Sequence, residues 1–155
     1  MAKEVWRGGN MLYPVPAVMV SCRGNDGRSN LITVAWAGTV CSDPAMVSIS
    51  VRPERFSHQL IAESGEFAIN LTTEALVRKA DEGGVRSGRD CNKWELLGLT
   101  EEKASKIKAP LVKESPVNLE CRVTERIPLG THDLFLAEVL AVDVDKSLMD
   151  EKGKF

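Results

Sequence analysis

Side chains able to hold a phosphate ester lie close together in this chain: Arg52 and Ser57, with Lys93 further on. A phosphate monoester is fixed by cations, hydroxyl donors and the free amides at a helix N-terminus. A helix is expected to begin at Ser57, so charge, hydroxyl and amides fall together there, with Arg52 as the principal anchor. The segment Thr33–Trp36 offers a second kind of surface. An extended strand carrying Ala35 and Trp36 presents an apolar wall beside backbone donors and acceptors, which suits the polar edge of a flat heterocycle. Asn30 and Asn70 are placed to reach polar groups of such a ligand. The plainer readings stay open at this level: Arg52 as a strand-end surface charge, Ser57 as a simple cap, Trp36 as core and Lys93 as solvated.

FMN is a ligand of that description, and few other chemistries find their parts. There is no G-x-x-x-x-G-K-[ST] and no G-x-G-x-x-G after a strand; GGVRSG at 83–88 has the wrong glycine spacing. His58 and His132 are the only histidines, and no G-x-S-x-G accompanies them, so a hydrolytic triad is poorly supported. Cys22, Cys41, Cys91 and Cys121 form no C-x-x-C, which gives no zinc or iron–sulfur spacing. They are expected to be reduced thiols in core or surface positions. With 20 basic and 22 acidic residues the net charge is −2, so nothing draws the chain to nucleic acid or an anionic membrane. No apolar run reaches the roughly 20 residues of a membrane span. The opening MAKEVWRGGN lacks the features of a signal peptide, and a cytoplasmic protein is expected.

The elements that must position these residues are mostly strands. PAVMVSCR (16–23) and SNLITVAW (29–36) flank GNDGR (24–28), which is hairpin-turn chemistry. In MVSISVR (46–52), Val47, Ile49 and Val51 alternate with Ser48, Ser50 and Arg52. The apolar set predicts a barrel interior, and the hydroxyl-and-guanidinium set a ligand face. SHQLIAES (57–64) reads as a short helix capped by Ser57 and stopped by Gly65. EFAINL (66–71) reads as a strand, and TTEALVRKADEG (72–83) as a helix from Thr72 or Thr73 that ends at Gly83 or Gly84. Residues 84–98 form a glycine-rich, basic loop that becomes briefly helical. VNLECRVTERI (117–127) alternates with one wet face. LFLAEVLAVDVD (134–145) is apolar on both faces through Val142 except at Glu138, for which Arg122 and Arg126 are candidate partners. That strand is expected to be central or to lie in a subunit interface. At 155 residues, 43% hydrophobic and 27% charged, without repeat or linker, the chain reads as one mainly β domain (1–155). Closure into a barrel would remove its exposed edges.

Taken in order, these segments resemble the flavin reductase-like family of FMN-binding split-barrel proteins, particularly its flavoredoxin-type branch. The pattern runs from Pro16 to Val144. It includes N-x-x-x-x-x-W at Asn30–Trp36, S/C-x-D-P at Cys41–Pro44, the S-x-S-V-R…F-S/T-H run of Ser48–His58 and G-E-F-x-x-N at Gly65–Asn70. S-G-R-D-x-x-K at Ser87–Lys93, L-E-C at Leu119–Cys121 and H-D-L-F-x-x-E-V at His132–Val139 complete it. The resemblance implies a six-stranded antiparallel Greek-key split β-barrel with short flanking helices. It also implies a homodimer with FMN near the subunit interface.

Carried over residue by residue, the resemblance puts Asn30, Thr33, Ala35 and Trp36 along the isoalloxazine. It puts Ser50, Val51, Arg52, Ser57, His58, Ser87 and Lys93 at the ribityl chain and phosphate. His132 is implied as a nicotinamide or flavin contact, the other reading being a strand-start histidine bonded locally. The implied chemistry is electron transfer through FMN between NAD(P)H or a protein donor and an acceptor, with no catalytic acid or base supplied by the chain. The alternatives are a flavin carrier or sensor without turnover, and a split barrel without flavin that serves as an interaction module. Two departures stand out: family members usually continue past this point with a Tyr-rich closing segment, and position 41 is Cys where Ser or Thr is common.

Overall fold

The computed structural model describes residues 1–155. The predicted hairpin forms as β1 (Val18–Arg23) and β2 (Ser29–Val34), with Gly27 at φ 86° making the turn a side chain would strain. β3 (Ala37–Ser42) and β4 (Ala45–Val51) make a second hairpin. Helix α1 (Phe56–Ser64) leads into β5 (Glu66–Leu71). A 3-10 turn at Glu74–Leu76 precedes α2 (Val77–Val85), and α3 (Lys93–Leu97) follows the basic loop. The two-residue strands β6 (Glu101–Glu102) and β7 (Leu111–Val112) pair with each other. The long strands β8 (Val117–Pro128) and β9 (Asp133–Val144) close the chain's architecture.

The main sheet is antiparallel with the order β2-β1-β5-β8-β9-β4-β3. Its two edge strands, β2 and β3, are consecutive in sequence and joined only by Ala35 and Trp36. A two-residue link between opposite edges forces the sheet to curl until those edges adjoin, which is a barrel left open along one seam. The sheet has seven strands, one more than the six expected. The added strand, β3, was hidden because AGTVCS is an edge strand with no buried residue and hence no apolar period.

The barrel core follows the alternation of β4. Val47, Ile49 and Val51 are buried against Val20, Cys22, Phe67, Phe135 and Ala137, with Phe56, Leu60 and Ile61 of α1 filling one end. A second apolar cluster joins Met19 and Leu31 to Leu76 and Ala80 of the helical region and to Trp94 and Leu97 of α3. These contacts fix where α2, α3 and their connecting loop lie beside β2.

Helix boundaries differ in two places from those the sequence suggests. α1 begins at Phe56, with Arg55 as N-cap and no side-chain cap; Ser57 lies inside the first turn, and its hydroxyl is engaged by Asn30 instead. Gly65 does end this helix, at φ 69° with its N–H on the Ile61 carbonyl. α2 continues through Gly83 and Gly84 to Val85. A Cβ on Gly83 would lie 3.4 Å from Thr33 Oγ1, and one on Gly84 3.4 Å from Thr33 Cβ. Packing of α2 on β2 and α3 carries the helix through both glycines despite their low helix propensity.

β9 is central, between β8 and β4. Glu138 is half-buried but pairs with neither expected arginine: Arg122 faces Glu66 at 3.7 Å, and Arg126 binds Asp133 at 2.7 Å. The buried carboxylate with a full set of partners is Glu120, which accepts from the amides of Ser105, Lys106 and Ile107 and from the Ser105 hydroxyl.

Candidate functional site

β2 lies at a sheet edge, so the backbone groups along its outer side have no sheet partner. That side forms one wall of a pocket lined by Ile32, Thr33, Val34, Ala35 and Trp36. Ser50, Val51 and Arg52, from the end of β4, form the facing wall, with Arg55 and His132 closing it. Val51 is 2% exposed with its side chain in the core, so it offers the pocket backbone alone. The hydroxyl of Thr33 is bonded to the Ala80 carbonyl, so Thr33 too contributes mainly backbone. Trp36 is 44% exposed, unusual for a tryptophan, and it stands at this pocket rather than in the core. The His132 ring packs on it with centroids 4.6 Å apart. His132 Nδ1 lies 2.9 Å from Thr131 Oγ1, and partial burial with the nearby Arg52 charge pushes its pKa below the usual histidine value.

A second pocket adjoins the first, sharing Ile32 and Arg55. Its walls come from the start of α1 and from the basic loop: Asn30, Ser57, Ser87, Gly88 and Lys93, with Arg55, Arg86 and Arg89. Four cationic side chains line it against one acid, Glu54. Ser57 Oγ accepts from Asn30 Nδ2 at 2.8 Å, which leaves the hydroxyl proton for a ligand acceptor. The amides of Phe56 and Ser57 open α1 with no side-chain cap to satisfy them. Lys93 is buried, donates to the carbonyls of Leu31 (2.8 Å) and Gly83 (2.7 Å), and has its pKa pushed down to about 8, chiefly by burial. It is a fixed cation at the head of α3, not a solvated loop lysine. Gly88 permits the arrangement, because a Cβ there would fall 2.2 Å from Asn30 Oδ1.

The structure thus brings Asn30, Ser57, Ser87 and Lys93 into the cationic pocket and Thr33, Ala35, Trp36, Ser50, Val51, Arg52 and His132 into the first. Three expectations change. Arg52 does not line the cationic pocket: the alternation of β4 turns it with Ser50 toward the first pocket, where its guanidinium is 3.4 Å from Glu54. His58 is buried and faces neither pocket; its Nε2 is 2.8 Å from Asp133 Oδ2, pinning α1 to β9. That bond, ahead of the one from Arg126, holds Asp133 below the usual carboxylate range. Asn70 is wholly buried elsewhere, donating to Met19 O and Ser21 Oγ and accepting from Val112 N and Asn118 Nδ2. Its amide is consumed in holding β5 to its neighbours.

Arg55 and Arg86 were not singled out from the sequence, and Gly88 and Arg89 stood in the S-G-R-D-x-x-K run without a role of their own. The available signal was the excess of arginine over acid in GVRSGR. Cys41 lines neither pocket and bonds the Asp43 carbonyl.

Residues 10–155 match the model of the flavin reductase like domain. The chain belongs to the flavin reductase-like family. Among solved structures, flavoredoxin of Desulfovibrio vulgaris (Miyazaki F) superposes with a TM-score of 0.90 at 33% identity, over 99% of this chain and 82% of that one. Flavoredoxin from Methanosarcina acetivorans gives 0.87 at 28% identity, over 99% and 81%. An FMN-binding protein from Thermus thermophilus gives 0.82 at 25% identity, over 99% and 84%. The seam-opened barrel is therefore the split barrel of the flavin reductase-like family, and both pockets lie within the matched residues.

Proposed function

We propose that this chain binds FMN and works as a redox protein of the flavin reductase or flavoredoxin type, passing electrons between NAD(P)H or a protein donor and an acceptor. The observation that carries this reading is the pair of adjoining pockets: an edge strand with an exposed tryptophan beside one, four cations around the other. A flat ring and a terminal phosphate on a short chain match that pair in order. The names of the similar solved proteins, flavoredoxins and an FMN-binding protein, support it.

Bound there, the flavin would supply the electron and hydride chemistry. The chain's own part is to hold it. Outer backbone groups of β2 and Ala35–Trp36 would meet the polar edge of the ring, and Trp36 and His132 would shield one side from water. Ser57, Arg55, Arg86, Arg89 and Lys93 would fix the phosphate. The protein is proposed to act as a homodimer. In support, β9 leaves Val142 53% exposed and Leu134, Leu136 and Leu140 half-buried, and the N-terminal segment exposes Trp6, Met11, Leu12 and Tyr13. No helix is long and apolar enough to cross a membrane.

Visible absorption of the purified protein after addition of FMN tests the reading, followed by NAD(P)H oxidation with and without free flavin. Bound flavin with turnover supports it. Bound flavin without turnover from any donor would favour a carrier, and a colourless protein that ignores FMN would favour an interaction module.

A further inference from the structure

A second acid stands beside the buried Glu120. β8 and β9 pair Asn118 with Asp143 and Glu120 with Ala141. Glu120 and Asp143 are therefore diagonal neighbours on one face of the sheet, with their carboxyl groups in hydrogen-bonding reach. Glu120 Oε1 accepts from Ser105 N (2.7 Å) and Ser105 Oγ (2.8 Å), and Oε2 from Lys106 N (2.6 Å) and Ile107 N (3.1 Å). Those four donors clasp the segment between β6 and β7 to the sheet, and they call for an ionised, acceptor-only carboxylate. Burial opposes that charge, but the donors from Ser105 and Lys106 outweigh it and hold Glu120 below the usual carboxylate range. Asp143 has the opposite surroundings. Its Oδ2 is shielded from solvent and receives no donor. The side-chain N–H groups of Asn118, across from it, are spent on Asn70 Oδ1 and Val112 O. The charges that act on it, Glu120 and Glu102 of β6, are both negative. Neither acid forms an ion pair, whether with Lys103, Lys106 and Lys108 of the clasped segment or with any other cation. Burial first, then the Glu120 charge, push Asp143 above the usual carboxylate range.

We propose that Asp143 carries a proton and donates it to Glu120, so that residues 103–110 are clasped to the sheet while Asp143 is protonated and loosened when it ionises. Two carboxylates in contact share one proton because ionising both sets like charges side by side. Glu120, held low, supports the clasp above its pKa and withdraws that support as pH falls through it. Asp143, held high, gives its full support below the ordinary aspartate value of 3.8 and loses it as pH rises through the raised value. The segment is thus tightest in the acid window between the two pKa values and freer at higher pH.

Hydrogen exchange of the Ser105, Lys106 and Ile107 amides, set against the core amide of Val20, reads the clasp between about pH 4 and pH 8. In wild type the relative protection should fall as pH rises, about tenfold for each unit by which the contact raises Asp143. Asp143→Asn keeps an N–H donor for Glu120 and cannot ionise, so its protection should not fall. By carboxyl-carbon NMR of the wild-type chain, Asp143 should titrate above 3.8 and Glu120 below 4.5. Equal pH-dependent losses in wild type and Asp143→Asn would overturn the proposal. So would constant protection in wild type, or an Asp143 signal that titrates at or below 3.8, and these two results need no variant to fold.

Discussion

Lys93 shows how burial changes what a residue can do. Its ammonium sits among carbonyls with its pKa pushed down to about 8, so near that pH the empty site is part neutral. A phosphate beside it favours the charged form, and FMN binding above pH 8 must therefore take up a proton. FMN affinity should be level between about pH 7 and pH 8, where its phosphate is already a dianion, and fall above it, while riboflavin, which has no phosphate, should show no such fall; parallel titrations across that pH check it. Arg52 makes the converse case. Since it lines the ring pocket, Arg52→Ala should weaken FMN and riboflavin alike, whereas Arg89→Ala should cost FMN about 10- to 100-fold and spare riboflavin. Burial pushes the Cys22 and Cys121 thiols up to about 12, so neither offers a thiolate near neutral pH. Replacing all four cysteines by Ser or Ala should leave a folded protein that still binds flavin, checked by its visible spectrum.

The basic loop comes tightest against β2 where Gly88 meets Asn30, whose amide in turn bonds Ser57 of α1. Gly88→Ala should displace Asn30, break its bond to Ser57 and weaken FMN binding, with little change in melting temperature because the barrel core is untouched. Asn70→Ala should do the opposite: it strands a buried amide and a side-chain partner, at about 1–3 kcal/mol each, and should lower stability while the flavin site persists. Denaturant melts beside FMN titrations separate the two variants. The elements themselves were unevenly legible. The alternation of Val47, Ile49 and Val51 announces β4, and Gly65 announces the end of α1. β3 carries no apolar period because it lies exposed at an edge. The run of α2 through Gly83 and Gly84 goes with its packing against β2, a distant strand that local propensity cannot register. The site was legible as residue types but not as a grouping. Arg52 and Ser57 are five positions apart, yet the turn at Pro53–Arg55 sends them to different pockets, and Arg86 and Arg89 join Ser57 only through the fold.

At the scale of the whole molecule, the sheet's curl places the two pockets. Opposite edges meet because Ala35 and Trp36 join them, and the ring pocket lies at that join, with the cationic pocket beside it where α1 and the basic loop converge. Light scattering at micromolar concentration should give twice the 17.0 kDa chain mass; a monomer there would refute the proposed dimer. The central claim is that this chain holds a flavin whose phosphate sits among the cations of the α1 start and the basic loop. Fluorescence titration of the wild-type protein with FMN and with riboflavin tests it most directly. Two charge-assisted contacts to the phosphate should make FMN bind at least about 100-fold more tightly than riboflavin. Equal affinities for the two ligands, or binding of neither, would contradict the account.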